Sequence, residues 1–318
     1  MHHSNPLYGR NILNISDLSL ADLELIFKTA SVMKSRLRQS NKKASYLKGK
    51  TIINLFYEPS TRTRTSFELA GKYLGADVIN FTTSASSFLK GESFRDTLLT
   101  LEAMHSDAFV IRHPVEGAAA FAADSVGQSV VLNAGDGAHA HPTQALLDML
   151  TLKEHNISLK GAKMVIVGDI LHSRVARSNI ALWKKYGADV HVCGPGTLLP
   201  REIEKLGVTV HNRIEDALEG ASVVNALRIQ LERQQKGMFP SVREYAQLFG
   251  VNEERMKLAR PDAVILHPGP LNRGVEISYE VAYGSQAVIL PQVESGVAIR
   301  MALLALTLKE EIPNENFN

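Results

Sequence analysis

Short runs of apolar residues alternate along this chain with longer stretches in which apolar positions recur every three or four residues. Leu20 to Arg38 follows the capping pattern Ser16-Asp-Leu-Ser19 and gives way to the polar stretch Gln39 to Lys43, so the spacing predicts an amphipathic helix. Thr51-Ile-Ile-Asn-Leu-Phe56 reads as a buried strand, followed by a turn at Glu58-Pro59 and a helix from Ser60 to Leu74 that Gly75 closes. Ala76 to Phe81, Asp107 to Arg112 and Ser129 to Asn133 read as further strands, with Thr97 to His105 and Gly117 to Ala123 as helical connections. This alternation predicts a parallel sheet with helices on both faces.

A helix from Pro142 to His155 leads out of that half, and the pattern restarts at Lys163-Met-Val-Ile-Val-Gly168. Ala188 to Cys193, Thr209 to His211, Ala221 to Asn225 and Ala263 to His267 are its later strands, and Ala176 to Tyr186 is a helix between them. Gly296 to Lys309 is an apolar helix placed to return to the first half. The expected fold class is α/β: two doubly wound domains, each a mainly parallel sheet flanked by helices, joined by interdomain helices. Residues 1–141 with 296–318 form the first domain and 142–295 the second.

Composition refines this little. At 318 residues, 45% hydrophobic and 21% charged, the chain is long enough for two cores. With 35 basic and 33 acidic side chains the net charge is +2, so nothing at whole-molecule scale draws it to nucleic acid or an anionic membrane. The N-terminus lacks a basic and apolar leader, and no stretch looks like a membrane span of about 18 apolar residues, which makes the expected location cytoplasmic. The one cysteine, Cys193, lies in an apolar strand and fits a core thiol in a reducing compartment.

Candidate chemistry concentrates at Glu58-Pro-Ser-Thr-Arg-Thr-Arg-Thr-Ser-Phe67. Ser60 is a good N-cap, and Thr61 and Thr63 set hydroxyls beside backbone N–H groups at a helix start. Such a start already carries about half a positive charge, so arginines there are unfavourable by about 0.3–1 kcal/mol each without an anion. A phosphate would satisfy amides, hydroxyls and guanidinium together. Residues two apart on a helix diverge by about 200°, so one arginine binds ligand and the other is structural; Arg62 is taken as the ligand. The alternative is a surface helix whose arginines pair with Glu58 and Glu68.

Ser60-Thr-Arg-Thr-Arg64 resembles the carbamoyl-phosphate motif of the aspartate and ornithine carbamoyltransferases. Further matches follow in family order, the set spanning residues 60–270: Lys90-Gly-Glu, Arg112-His-Pro, Asn133-Ala-Gly-Asp-Gly137, His141-Pro-Thr-Gln144, Arg228-Ile-Gln230 and His267-Pro-Gly-Pro270. The resemblance implies transfer of a carbamoyl group from carbamoyl phosphate to an amino acid's amino group. It assigns carbamoyl phosphate to the first domain and the amino acid to the second. Ser60, Thr61, Arg62 and Thr63 would hold the phosphate, while Arg112, His141 and Gln144 surround the carbamoyl group. Donors from Thr63, Arg112 and His141 suit an oxyanion site, an effect worth roughly 3–4 kcal/mol per donor. Ser86 and Lys90, on a loop rich in small polar residues, would enter the active site of a neighbouring subunit, which requires at least a trimer. Catalysis would rest chiefly on Arg62, Thr63, Lys90, Arg112 and His141.

For the second substrate, Arg174 stands near a helix start, and Arg228 and Gln230 follow a strand; these match carboxylate ligands of the family, as Gly269 and Pro270 match its substrate loop. Arg300 is either an aspartate ligand or a buried structural group, and Arg233 and Lys236 read as a solvated face. The arginines argue for a dicarboxylate, aspartate, over ornithine, whose enzymes carry a His-Cys-Leu-Pro-like pattern where this chain has His267-Pro-Gly-Pro270. A non-catalytic carbamoyl-phosphate-binding subunit is the other alternative. Val165-Ile-Val-Gly168 has one glycine where a dinucleotide turn needs three, and His139 and His141 lack the companions of a zinc site. No metal or organic cofactor is expected. The residues leave open whether regulatory or dihydroorotase-like chains join the trimer.

Overall fold

The computed structural model describes residues 5–82, 92–229 and 241–313. Its strands form two parallel sheets, and the chain divides into unit 1, Met1–Leu150 with Glu294–Asn318, and unit 2, Thr151–Val293. The fold is α/β, with each sheet flanked by helices.

In unit 1, β1 (Thr51–Phe56), β2 (Asp77–Thr82), β3 (Ala108–His113) and β4 (Val130–Asp136) lie in the order β2-β1-β3-β4. The chain thus moves outward from β1 in both directions, and β1/β3 is the switch point at whose carboxyl end ligands collect in open parallel sheets. Helices α1 (Leu20–Leu37), α2 (Thr61–Tyr73), α3 (Phe94–Ala103) and α4 (Ala118–Ser125) connect and flank these strands. Ile53, Leu55, Phe109, Ile111 and Val131 pack with Leu98 of α3 and Ala119 and Ala122 of α4, all almost fully buried. β4 runs three residues beyond the expected Asn133, past a register shift against β3 between Ile111 and His113. The amino-terminal segment reaches the outer side of β4, where Ile12 N donates to Val131 O at 2.9 Å.

In unit 2, β5 (Lys163–Val167), β6 (Asp189–Cys193), β7 (Thr209–His211), β8 (Val223–Ala226) and β9 (Val264–Leu266) lie in the order β7-β6-β5-β8-β9, so β5/β8 is the corresponding switch point. Its helices are α6 (Arg174–Lys185), α7 (Ile214–Leu218), α8 (Val242–Phe249), α9 (Glu253–Met256) and α10 (Tyr279–Tyr283). Trp183 of α6 and Tyr245 of α8 are among the largest wholly buried side chains. The chain passes from unit 1 to unit 2 within α5 (Pro142–Glu154) and returns within α11 (Ile289–Leu308).

Helix α11 corrects two sequence expectations. It begins seven residues before Gly296, because Pro291 falls in its first turn, where a missing N–H costs nothing. Its length and mean hydropathy of 1.4 also meet the requirement for crossing a membrane, although no stretch of the sequence looks like such a span. Ala298, Ile299 and Met301 through Leu306 are fully buried, so in this fold the helix is core. Asn5 Nδ2 ties it to the amino terminus through the carbonyls of Leu306 and Lys309, at 2.7 and 2.8 Å.

Candidate active site

The switch point of unit 1 brings together the ends of two neighbouring strands. β1 pairs with β3 so that Phe56 lies opposite Arg112, which puts Glu58, two residues past the strand, beside that arginine. Arg112 Nε meets Glu58 Oε1 at 2.7 Å, and its Nη1 donates to the Ala134 carbonyl at 3.2 Å. Both charged side chains are largely buried. The two contacts fix the plane of a five-donor fork, a group whose geometry suits a carbonyl or phosphoryl oxygen. Behind it stand Tyr57, Phe94 and His113, whose ring centroids lie 4.9–5.2 Å apart. Burial pushes the His113 imidazole below its ordinary range, and its Nδ1 accepts from Val115 N at 3.0 Å, so the ring is neutral.

Helix α2 starts at the same corner. Ser60 occupies the N-cap position, but its hydroxyl makes no capping bond, contrary to the cap expected from sequence. The cap hydroxyl and the first-turn N–H groups are therefore not spent on each other, which suits an external anion. Thr61 and Arg62 are exposed, Thr63 is buried and Arg64 is half-buried. Glu68 binds Lys72 at 2.6 Å and Asn80 at 2.8 Å and also feels the charge of Arg64, so its carboxyl is held below the usual range by those hydrogen bonds first. Glu58 thus engages Arg112, and Glu68 engages Lys72 and Asn80 and feels the field of Arg64.

The loop from β4 to α5 brings in His141 and Gln144. Buried Asp136 organises it: its carboxylate accepts from Gly117 N (2.7 Å), Ala140 N (3.2 Å) and Asn133 Nδ2 (2.8 Å) and meets His139 Nδ1 at 3.0 Å. His139 is therefore a partner of Asp136, and the Asn133 to Gly137 motif is the frame of the loop. His141, Thr143, Gln144 and Asp148 are all buried. Gln144 Nε2 donates to Asp148 Oδ1 at 2.9 Å; a carboxylate only accepts, so the amide oxygen of Gln144 is left to accept from a ligand N–H. Asp148 has no mark in the sequence, where Glu58 reads only as a possible partner of the helix arginines and Thr143 only as a member of the His141-Pro-Thr-Gln144 motif, because their roles depend on strand register or on a turn of helix.

Arg300 lies in the body of α11 rather than at its start. It is wholly buried, and burial brings its guanidinium down to about 10, still protonated at neutral pH. Its donors go to Ser66 Oγ and Gly296 O, both at 2.9 Å, and to Thr143 Oγ1 at 3.3 Å. A Cβ on Gly296 would sit 2.7 Å from Nη1, so glycine inside this helix makes room for the guanidinium. Ser86, Lys90 and Gln230 lie outside the described residues.

In unit 2, the expected residues follow the carboxyl ends of β5, β8 and β9. Past β5, Asp169 takes His172 N and His172 Nδ1 at 3.1 Å each, and Ser173 caps α6, so Arg174 enters as the first helical residue and is buried. Gly168 packs against Leu227 and Tyr245, a close approach of strand ends and no phosphate cradle. Past β8 comes half-buried Arg228. Past β9, His267 Nδ1 accepts from Gly269 N (2.8 Å) while Nε2 faces Glu276 Oε1 (3.1 Å), and Gly269-Pro270 is a cis peptide. Asn272 Nδ2 then reaches Ile229 O at 2.9 Å, pinning this loop to the segment that carries Arg228. Glu276 and Asn272 went unnoticed in the sequence because neither stands in a motif.

Residues 10–154 match the family model described as aspartate/ornithine carbamoyltransferase, carbamoyl-P binding domain, and residues 160–307 match that of the Asp/Orn binding domain. The aspartate carbamoyltransferase catalytic subunit of Desulforamulus reducens is 57% identical over 297 residues, covering 93% of this chain and 95% of the relative. That of Moorella thermoacetica is 57% identical over 302 residues, covering 95% and 98%. Among solved structures, aspartate transcarbamoylase from Trypanosoma cruzi in complex with carbamoyl phosphate and aspartate has a TM-score of 0.85 at 32% identity, covering 96% of this chain and 98% of that one. Ornithine carbamoyltransferase from Pyrococcus furiosus has a TM-score of 0.84 at 29% identity, with 95% and 98% covered. With both domain models matched in order and relatives more than half identical over nearly its whole length, the chain belongs to the aspartate/ornithine carbamoyltransferase family.

Proposed function

We propose a division of labour among the residues above for a reaction that is itself carbamoyl transfer from carbamoyl phosphate to the amino group of L-aspartate, giving N-carbamoyl-L-aspartate and phosphate. Fold alone does not choose aspartate over ornithine, since structures of both kinds of enzyme superpose equally well. The choice follows from the relatives at 54–57% identity, all of them aspartate carbamoyltransferase catalytic subunits.

The observation that carries the residue assignment is the Arg112–Glu58 pair at the β1/β3 switch point, beside a helix start whose cap hydroxyl is unspent. The phosphate sits on the N–H groups and hydroxyls of Ser60, Thr61 and Thr63 with Arg62. The carbamoyl oxygen faces Thr63, Arg112 and His141, and the carbamoyl NH₂ faces the Gln144 amide oxygen. As the amine attacks the carbonyl carbon, charge builds on that oxygen and the fixed donors stabilise it without reorganising. The departing phosphate accepts the amine proton, so no separate base is needed. Arg174, Arg228, Gln230, Gly269 and Pro270 hold aspartate's carboxylates. Arg300 is assigned to support, because its donors are directed at Ser66, Thr143 and Gly296.

From the family resemblance we further propose a cytoplasmic homotrimer in which Ser86 and Lys90 complete the site of a neighbouring protomer. The substrate reading is tested by supplying carbamoyl phosphate with aspartate and with ornithine in separate assays. Phosphate release with aspartate alone is the expected result; product from ornithine and none from aspartate overturns it.

A further inference from the structure

Unit 1 contains a buried cation that no carboxylate neutralises among the described residues: Arg300, whose hydrogen bonds end on two hydroxyls and one carbonyl. One of those hydroxyls leads towards the site. Thr143 Oγ1, fully buried, lies 3.3 Å from Arg300 Nη2 and 3.5 Å from His141 Nδ1, and these are its side-chain contacts among the described residues.

The chemistry of the three groups dictates the direction of the bonds. A guanidinium has donors only, so Thr143 must accept from it. The threonine hydroxyl has one proton of its own, and because the side chain is fully buried that proton needs an acceptor. If the imidazole carried its proton on Nδ1, Thr143 would face a donor on both sides and its own O–H would be buried without a partner. With Nδ1 unprotonated, the hydroxyl accepts from Arg300 and donates to His141, and neither contact sets donor against donor. The ring proton of neutral His141 then resides on Nε2, the nitrogen remote from Thr143.

We propose that Arg300 and Thr143 form a relay of positioning residues that selects the Nε2–H tautomer of His141 and so makes it a hydrogen-bond donor towards substrate. This deepens the reading above and rests on His141 being an oxyanion donor. Gly296 belongs to the same device, since its missing side chain admits the guanidinium. Ser66 belongs to it as well, holding the other arm of Arg300 to α2, so that one cation registers the helix bearing the phosphate motif against the loop bearing His141.

Selective ¹⁵N-histidine labelling of the whole protein tests the relay at neutral pH, with His141→Asn identifying which of the 11 histidine signals is His141. In the wild type, Nδ1 of His141 is expected in the unprotonated range and Nε2 in the protonated range; the reverse pattern overturns the relay without any further variant. Thr143→Val should shift that one residue towards mixed tautomers and lower kcat about tenfold, less than outright loss of an oxyanion donor, while KM for carbamoyl phosphate stays near its wild-type value. Thr143→Ser should restore both spectrum and rate. A Thr143→Val spectrum identical to wild type also overturns the relay, as does a serine variant that behaves like valine. Unchanged turnover in His141→Ala, which leaves no side-chain donor, overturns instead the donor role on which the relay depends, so rate and spectrum separate the two failures.

Discussion

Arg112 shows how far a single residue can be read in isolation. The motif Arg112-His-Pro at the end of the strand Asp107 to Arg112 marks it for function, and the structure puts it at the β1/β3 switch point. Its partner was illegible, because Glu58 meets it only through a strand register linking residues 54 positions apart in the chain. Replacement of Arg112 by Ala should lower turnover by about 10²-fold or more with folding intact, as steady-state rates and circular dichroism would show. Arg112→Lys should recover only a small part of that loss, since one ammonium cannot hold Glu58, the Ala134 carbonyl and a substrate oxygen together. Cys193 was read correctly as a core thiol for a simple reason: apolar neighbours in a strand predict burial directly. Burial first, and then the charge of Glu215, push its thiol up to about 12. A disulfide reagent at pH 8 should leave the native chain unlabelled and titrate one thiol once denaturant is added; fast labelling of the native chain would contradict this packing.

At the scale of elements, those with strong periodicity and an explicit stop were legible, and those built from small residues or tertiary hydrogen bonds were not. The extension of β4 through Ala134-Gly-Asp136 has little strand propensity and exists because Asp136 collects hydrogen bonds from Gly117, Ala140 and Asn133. The first two turns of helix α11 are hard to read from sequence because Pro291 and Gly296 have the look of breakers, whereas one occupies a harmless first-turn position and the other makes room for Arg300. Helix α1 lies at the legible extreme. Ser19 and Asp22 form a reciprocal capping box, with Asp22 N donating to Ser19 Oγ at 3.1 Å and Ser19 N to Asp22 Oδ2 at 2.9 Å. Burial raises the Asp22 carboxyl, but the Ser19 bonds and Arg10 at 3.2 Å outweigh it and hold it below the usual 3.8. A lowered carboxyl stabilises the fold fully above its unfolded value and loses that contribution as pH falls from there through the folded value. Ser19→Ala should therefore cost about 1 kcal/mol at pH 7. Asp22→Asn should also destabilise the fold at pH 7, and its difference from wild type should shrink below about pH 4, as urea unfolding at several pH values would report.

For the molecule as a whole, the two-unit architecture was legible because the α/β alternation restarts at Lys163, and the family from motifs spread over residues 60–270. Assembly was not, since a surface that pairs with another copy obeys no periodicity. The proposed sharing of sites nevertheless has a consequence that a self-contained protomer cannot imitate. Take one variant lacking the donated group, Lys90→Ala, and another lacking a residue of the receiving site, His141→Ala; each alone should be nearly inactive. Dissociated, mixed in equal amounts and reassembled, they give rings of three in which every mixed ring holds one interface where an intact loop meets an intact pocket. Random assembly makes three rings in four mixed, and one site in three of each is whole, so roughly a quarter of wild-type activity should return. The recovered activity should also have the wild-type KM for aspartate, because the sites that work are unaltered. If each protomer used its own Lys90, every chain in the mixture would carry one lesion in its own site and no activity would return at any mixing ratio.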